Sequence, residues 1–460
     1  MRDMLEDALD TIQQQGADYA DVRYERFDTT KLEVKDRKLE EIATGNDTGV
    51  GFRAFYNGAW GFASTNDLES LEDAASDAIR SAKALAGNSS TESRELAPAP
   101  QVDETIESQA SIPPDFMEME EKVAILEDAE RTMRFSSDKI RSANVIYRDS
   151  HGTYMFLNSQ GSFVEKHPTH YSLYCQATAK SGGDVETHME RSASIRGMEH
   201  FQEADPVSLG EKAAEMAIKI VEAPRPPTGK MPVIIGDRLG GLFAHEAVGH
   251  AAEADTVQSG NSIFQGQKGE TIAAEGVTVV DDPTLEGKHG SYRFDDEGVP
   301  ARETTIIADG TLEGFMHSRD TAARAGVEPT GNARAESFAE RPVVRMSNTY
   351  FAEGDSSKEE MIETIDDGLY VKGFKGGQVS TAEGNFTFGT THAERIEDGE
   401  RTGLVRGPSI SGMTLDILQR IELVGGDVSV GDPGYCGKNG QTVYVDTGSP
   451  HMKVDRMVVG

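Results

Sequence analysis

The sequence predicts an α+β fold: an N-terminal α/β region of mixed or antiparallel sheet with packing helices, then a C-terminal, mostly β domain that carries a histidine-bearing helix. Three observations predict it. Apolar residues recur at helical spacing in 4–15, 67–86, 115–134 and 207–222. Between these stretches, side chains alternate in the manner of half-buried strands. Beyond the proline-rich break EAPRPPTGK at 222–230, the chain turns rich in glycine and short strand-like runs. The boundaries that follow are 1–110, 111–226 and 227–460.

Taken in order, Leu5, Ala8, Leu9 and Ile12 form one helical stripe that Gly16 ends. ADVRYERF and KLEVKDRKLEEI read as strands, and VGFRAFY and AWGFAST flank Asn57-Gly58, the pair that suits a type I′ hairpin turn. Trp60 in that hairpin reads as core packing. After the helix at 67–86, NSSTESRELAPAP reads as a linker or long surface loop, with a boundary near 90–112. The helix at 115–134 is followed by NVIYRD, GTYMFLN, GSFVEK, HYSLYCQATA and VETHMERSAS, an antiparallel sheet in which Cys175 reads as a small buried hydrophobe. The last stretch offers the strands MPVIIGD, TTIIADGTLEGFM with an Asp309-Gly310 turn, RPVVRMSNTYF and QTVYVD.

Composition narrows the function. The chain has 460 residues, with 79 Asp and Glu against 45 Lys and Arg, a formal net charge of -34. That charge repels phosphate backbones and disfavours direct nucleic-acid binding. Spread along the chain, it describes a heavily solvated surface suited to high salt, which a halophilic source would explain. No apolar run is long enough to span a bilayer and the first residues are acidic, so no membrane association and a cytoplasmic location are expected. Two cysteines far apart in sequence fit a reducing compartment.

The chemistry concentrates in RLGGLFAHEAVGHAAEAD, residues 238–255, which holds His245, Glu246 and His250. Histidines four apart share a helix face, whereas five apart they diverge by roughly 140° on an ideal α-helix. Joint ligation therefore requires the helix to widen or unwind, for instance near Gly249. Spacing alone leaves two unrelated helix histidines as an equally good reading. A third ligand is on offer at Cys436, in GDPGYCGKNGQTVYVD, although an inert thiol accounts for it as well. Two imidazoles and a thiolate would suit zinc and leave a position open, and Glu246 beside a ligand could accept a proton from water. His289, His317, His392 and His451 are not singled out by spacing and read as structural or solvent-facing, His392 and His451 being the hardest to dismiss. GxSxG, P-loop and CxxC patterns are absent. The glycine-rich KGFKGGQVSTAEGNFTFG and VRGPSISGM read either as tight turns in a β domain or as room for an extended peptide to add as a strand.

AHEAVGHAAEAD, the glycine-rich strands, GYCGKNGQTVYVDTGSP and the opening EVKDRKLEEIATGNDTGVGFRAFYNGAWGFAST occur in an order that resembles the TldD/PmbA family of metalloproteases across nearly the whole chain. The match at His245, Glu246, His250 and Cys436 is to the catalytic, TldD-like member. The resemblance implies one divalent metal ion on His245, His250 and Cys436, zinc first and iron second, with Glu246 as general base. It implies cleavage of unfolded or short extended peptides, as in maturation of modified peptide antibiotics or removal of unfolded antitoxins. It also implies a homodimer, or a heterodimer with an inactive PmbA-like relative, enclosing a chamber. The competing reading is a non-catalytic peptide-binding or regulatory subunit; a hydrolase of non-peptide amides is a third.

Overall fold

The computed structural model describes residues 1–86 and 95–460. The expected α+β class is what is found. Part of the expected linker lies outside the described residues. Its remaining part is no free loop, because buried Ala97 exchanges hydrogen bonds with Arg319: its N–H donates to the Arg319 carbonyl, and Arg319 Nε donates back to its own carbonyl at 2.9 Å.

The first 200 residues are built around one eight-stranded sheet in the order Ala59–Thr65, Lys38–Tyr56, Tyr19–Lys35, Ile140–Asn158, Phe163–Lys166 and Asp103–Ile106. Tyr19–Lys35 pairs antiparallel with Ile140–Asn158 from Asp21↔Asn158 to Lys35↔Asn144, so the stretches 1–110 and 111–226 share this sheet. The far edge of Ile140–Asn158 is taken up by Thr169–Ser181, which pairs in turn with Asp184–Ser194.

Helix Arg2–Gln14 buries the predicted Leu5, Ala8, Leu9 and Ile12, and with Leu71–Ala86 covers Val22, Phe52 and Ala54. Helices Met119–Phe135 and Pro206–Glu222 pack Leu126, Met133, Ala213 and Ala217 over Val145, Leu173 and Cys175. Cys175 is thus the core residue expected, and burial, followed by the charge of Glu190, pushes its thiol up to about 12.

Asn57 and Gly58 take the positive φ angles of a type I′ turn, as do Asp309 and Gly310. The run KLEVKDRKLEEI departs from expectation. Asp36 and Arg37 also adopt positive φ, and the chain reverses there to make two long strands instead of one. RPVVRMSNTYF likewise splits into Val343–Val344 and Asn348–Phe351, because Asp281 takes hydrogen bonds from the Ser347 amide and hydroxyl and from Thr349 between and beside them. Trp60 is half-buried instead of enclosed, with the Arg53 guanidinium 4.6 Å from its ring centre.

The C-terminal half holds a nine-stranded and a seven-stranded sheet. Between them lies one apolar core that includes Leu239, Phe243, Ala247, Val279, Phe351, Phe386 and Val454. A buried ionic knot joins this half to the first sheet: Arg53 donates to Asp21 at 3.0 Å and to Glu297 at 3.0 Å, and Glu297 also accepts the Arg319 amide at 2.7 Å. Breaking such a knot on one side leaves carboxylates buried without compensation. Arg53→Ala is therefore expected to lower unfolding free energy by about 3–5 kcal/mol in a denaturant titration; a change below about 1 kcal/mol would show that water reaches the site.

Candidate metal centre

Strand Gly229–Ile235 runs straight into helix Asp237–Phe243, which enters the core between the two C-terminal sheets. The next six residues, Ala244–Gly249, form a π-helical turn in which the His250 amide donates to the His245 carbonyl. A turn closed by i to i+5 bonds is one residue wider than an α-turn. Residues five apart, which an α-helix would send in different directions, here come to one side, and the two imidazole centroids lie 5.1 Å apart. This is the widening that joint ligation by the two histidines requires. Gly249 closes the turn against Met346, whose Sδ would stand 2.0 Å from a Cβ at that position. The chain then tightens into a 3-10 turn, His250–Ala252.

Cys436 arrives from the other end of the sequence. It sits in strand Gly434–Lys438, paired with Gln441–Ser449 through a tight turn in which Asn439 and Gly440 have positive φ. The buried Arg345 guanidinium donates to the Cys436 carbonyl and fixes the strand from behind. Alternation along the hairpin sends Cys436 and Val443 into the core. Tyr435 and Tyr444 point the other way, towards a cavity of about 690 Å³ that Tyr154, Lys166, Tyr292 and Arg334 also line.

His245, His250 and Cys436 therefore meet, with one ligand atom of each within 4.8 Å of the others. Cys436 Sγ lies 3.5 Å from His250 Nε2. A tetrahedral zinc ion with bonds of about 2.0–2.3 Å separates its ligands by roughly 3.3–3.8 Å, so this donor set fits such an ion with small side-chain movements. His245 and Cys436 are buried and His250 half-buried, which leaves one side of the cluster approachable. Burial pushes the Cys436 thiol up, but the adjoining His245 and His250 outweigh it and bring it down to about 4. Burial disfavours a charged His250, yet Glu253 and Cys436 hold its pKa well above the ordinary imidazole value. The thiol is thus in its ligating form at neutral pH.

Glu246 follows His245 on the widened turn. It is half-buried and makes no hydrogen bond or ion pair among the described residues. His289, His317, His392 and His451 stand apart from the cluster and are all buried, so none of these four is solvent-facing. His289 packs among His170, Tyr435 and Tyr444, and burial holds it down to about 3. His317 is hydrogen-bonded to Thr321 and His392 to Thr391, while His451 bridges Tyr370 and Asp427 at 2.6 Å each.

Sequence reasoning missed Glu253 and Lys438. Glu253 accepts a hydrogen bond from His250 Nδ1 at 3.0 Å, and Lys438 Nζ lies 3.2 Å from the same carboxylate oxygen. The available signals were spacing: Glu253 is three residues after His250, and Lys438 two after Cys436.

Among the described residues no helix is long and apolar enough to cross a membrane. Family models for the PmbA/TldA metallopeptidase domain 1, central domain and C-terminal domain match residues 20–86, 112–220 and 228–460. A metalloprotease of Methanothermobacter thermautotrophicus is 40% identical over 96% of this chain and 95% of its own. A zinc metalloprotease TldD homolog of Saccharolobus solfataricus is 32% identical over 97% of each. Two solved structures share the fold: a proposed DNA gyrase modulator of Thermotoga maritima, with TM-score 0.83 and 22% identity over 100% of both chains, and TldE of Thermococcus kodakarensis, with TM-score 0.76 and 21% identity over 99% of this chain and 100% of its own. Matched along its length by the family's domains and by relatives of this identity, the chain belongs to the PmbA/TldD family of metallopeptidases.

Proposed function

We propose that this chain is a peptidase that cleaves unfolded or short extended peptides, with His245, His250 and Cys436 holding one divalent ion, zinc before iron, and Glu246 as general base. The observation that supports this most is the π-turn, which sets two histidines five apart beside a thiol almost two hundred residues away. A helix makes such a turn at a cost, and π-turns gather at functional sites. A divalent ion bound there would supply Lewis-acid activation of a water and of the scissile carbonyl. Glu246, free of other partners among the described residues, accepts a proton from the attacking water and returns it to the departing amine.

Strand Gly376–Val379 supports an extended substrate. It ends the nine-stranded sheet, pairs only with Asn385–Gly389 among the described residues, and is largely exposed. Its glycines leave an edge on which a peptide could add as a strand. The chain would work in the cytoplasm, as a homodimer or with a PmbA-like relative of the kind that the TldE fold neighbour represents.

Elemental analysis of the protein purified at high salt is expected to find about one equivalent of zinc or iron, given the single three-ligand cluster among the described residues. A chelator should abolish cleavage of an unstructured peptide and zinc restore it. Metal-free protein that refuses zinc, or a loaded protein inert on every unstructured peptide, would replace this reading with that of a non-catalytic subunit.

A further inference from the structure

Glu253 and Lys438 take no part in the chemistry above, yet they tie its two distant segments together. Glu253 is 1% exposed, and a carboxylate buried to that degree is costly unless it is paired and hydrogen-bonded. Among the described residues its Oε2 carries all the pairing, 3.0 Å from His250 Nδ1 and 3.2 Å from Lys438 Nζ, whereas Oε1 is buried without a partner. The paired oxygen is aimed at the His250 ring nitrogen that faces away from Cys436.

Lys438 is equally committed. Its Nζ donates to both oxygens of Asp255 at 2.8 Å and to the Val344 carbonyl at 2.9 Å, beside Glu253. With its donors used in this way it is not available to a substrate. Two residues after Cys436 on the same strand, it projects to the same side. The contacts close a ring, from His250 to Glu253, to Lys438, along the strand to Cys436, and back across 3.5 Å to His250 Nε2.

We propose that Glu253 and Lys438 are positioning residues, a brace that fixes the His250 ring with its Nδ1 proton on Glu253 and locks the Cys436 strand against the histidine turn, so setting metal affinity. The inference rests on the reading of His245, His250 and Cys436 as a metal site. A carboxylate accepting from a ligating histidine fixes its tautomer and ring orientation and raises its basicity, and loss of such a partner weakens metal binding by about 10–100-fold.

The test measures Zn²⁺ affinity by competition with a chromophoric chelator for wild type, Glu253→Gln, Lys438→Met and the double variant, with Co²⁺ spectra reporting thiolate ligation. Each single variant should bind Zn²⁺ about 10–100-fold more weakly while keeping the thiolate-to-cobalt band. The double variant should fall no more than about threefold below the weaker single, because both act through one contact. Single variants within about threefold of wild type would overturn the brace while leaving the metal site standing. A wild type that takes up neither ion would overturn the metal reading, and the brace with it. Should Glu253→Gln unfold, the ¹⁵N-histidine spectrum of zinc-loaded wild type decides. A slowly exchanging His250 Nδ1 proton supports the brace, and a metal-bound Nδ1 with a protonated Nε2 overturns it.

Discussion

Glu246→Gln is expected to leave metal uptake unchanged while lowering kcat on an unstructured peptide by about 10²–10⁴-fold, the usual contribution of a general acid–base residue. That range corresponds to about 3–5 kcal/mol of lost transition-state stabilisation. The amide keeps the shape of the side chain and removes only its capacity to take a proton. Because Glu246 has no partner among the described residues, the substitution breaks no hydrogen bond and should not disturb the π-turn. Glu253, a second carboxylate near the centre, is already committed to His250 and Lys438 and is buried, so it is a poor substitute base. An interaction made only in the transition state affects kcat and kcat/KM equally and leaves KM alone. Single-turnover and steady-state assays should therefore fall together; near-wild-type turnover by the loaded variant would remove Glu246 from the mechanism.

What could be read beforehand was mainly local. The stripe Leu5, Ala8, Leu9 and Ile12 and the Asn57-Gly58 and Asp309-Gly310 turns are set by periodicity and by backbone conformations that few residues adopt, and all appear where they were expected. The turn at Asp36-Arg37 was missed because it carries no glycine; the strands on either side pair along their length and hold two non-glycine residues at positive φ. Pairing of Tyr19–Lys35 with Ile140–Asn158 is likewise invisible to local patterns, since alternation says which face a residue takes and not which strand lies beside it. At the centre, joint ligation by histidines five apart would need a widened helix, and Ala244–Gly249 forms a π-turn. The approach of Cys436, the Arg345 contact behind it and the Glu253–Lys438 contact depend on tertiary placement alone.

Cys436→Ser is expected to weaken Zn²⁺ binding by about 10²–10³-fold. The apparent free energy of zinc binding to four-ligand structural sites, about 10–16 kcal/mol, amounts to about 2.5–4 kcal/mol for each ligand. Each 1.4 kcal/mol is about tenfold in affinity. Serine is the demanding comparison because it keeps nearly the same volume in a well-packed core, so the loss is not one of packing. The Cys436 thiol, brought down to about 4 by His245 and His250 against the effect of burial, is already a thiolate before an ion arrives. A serine hydroxyl stays protonated beside the same imidazoles and offers the ion a neutral oxygen in place of a charged, soft sulfur. The cobalt-loaded variant should lack the thiolate charge-transfer band while circular dichroism remains that of the wild type. Peptide cleavage should fall with metal occupancy and recover in part at high zinc, because His245, His250 and Glu246 are still in place. Equal zinc affinity in serine variant and wild type would mean that the ion rests on the histidines without the sulfur, and that Cys436 only packs against them.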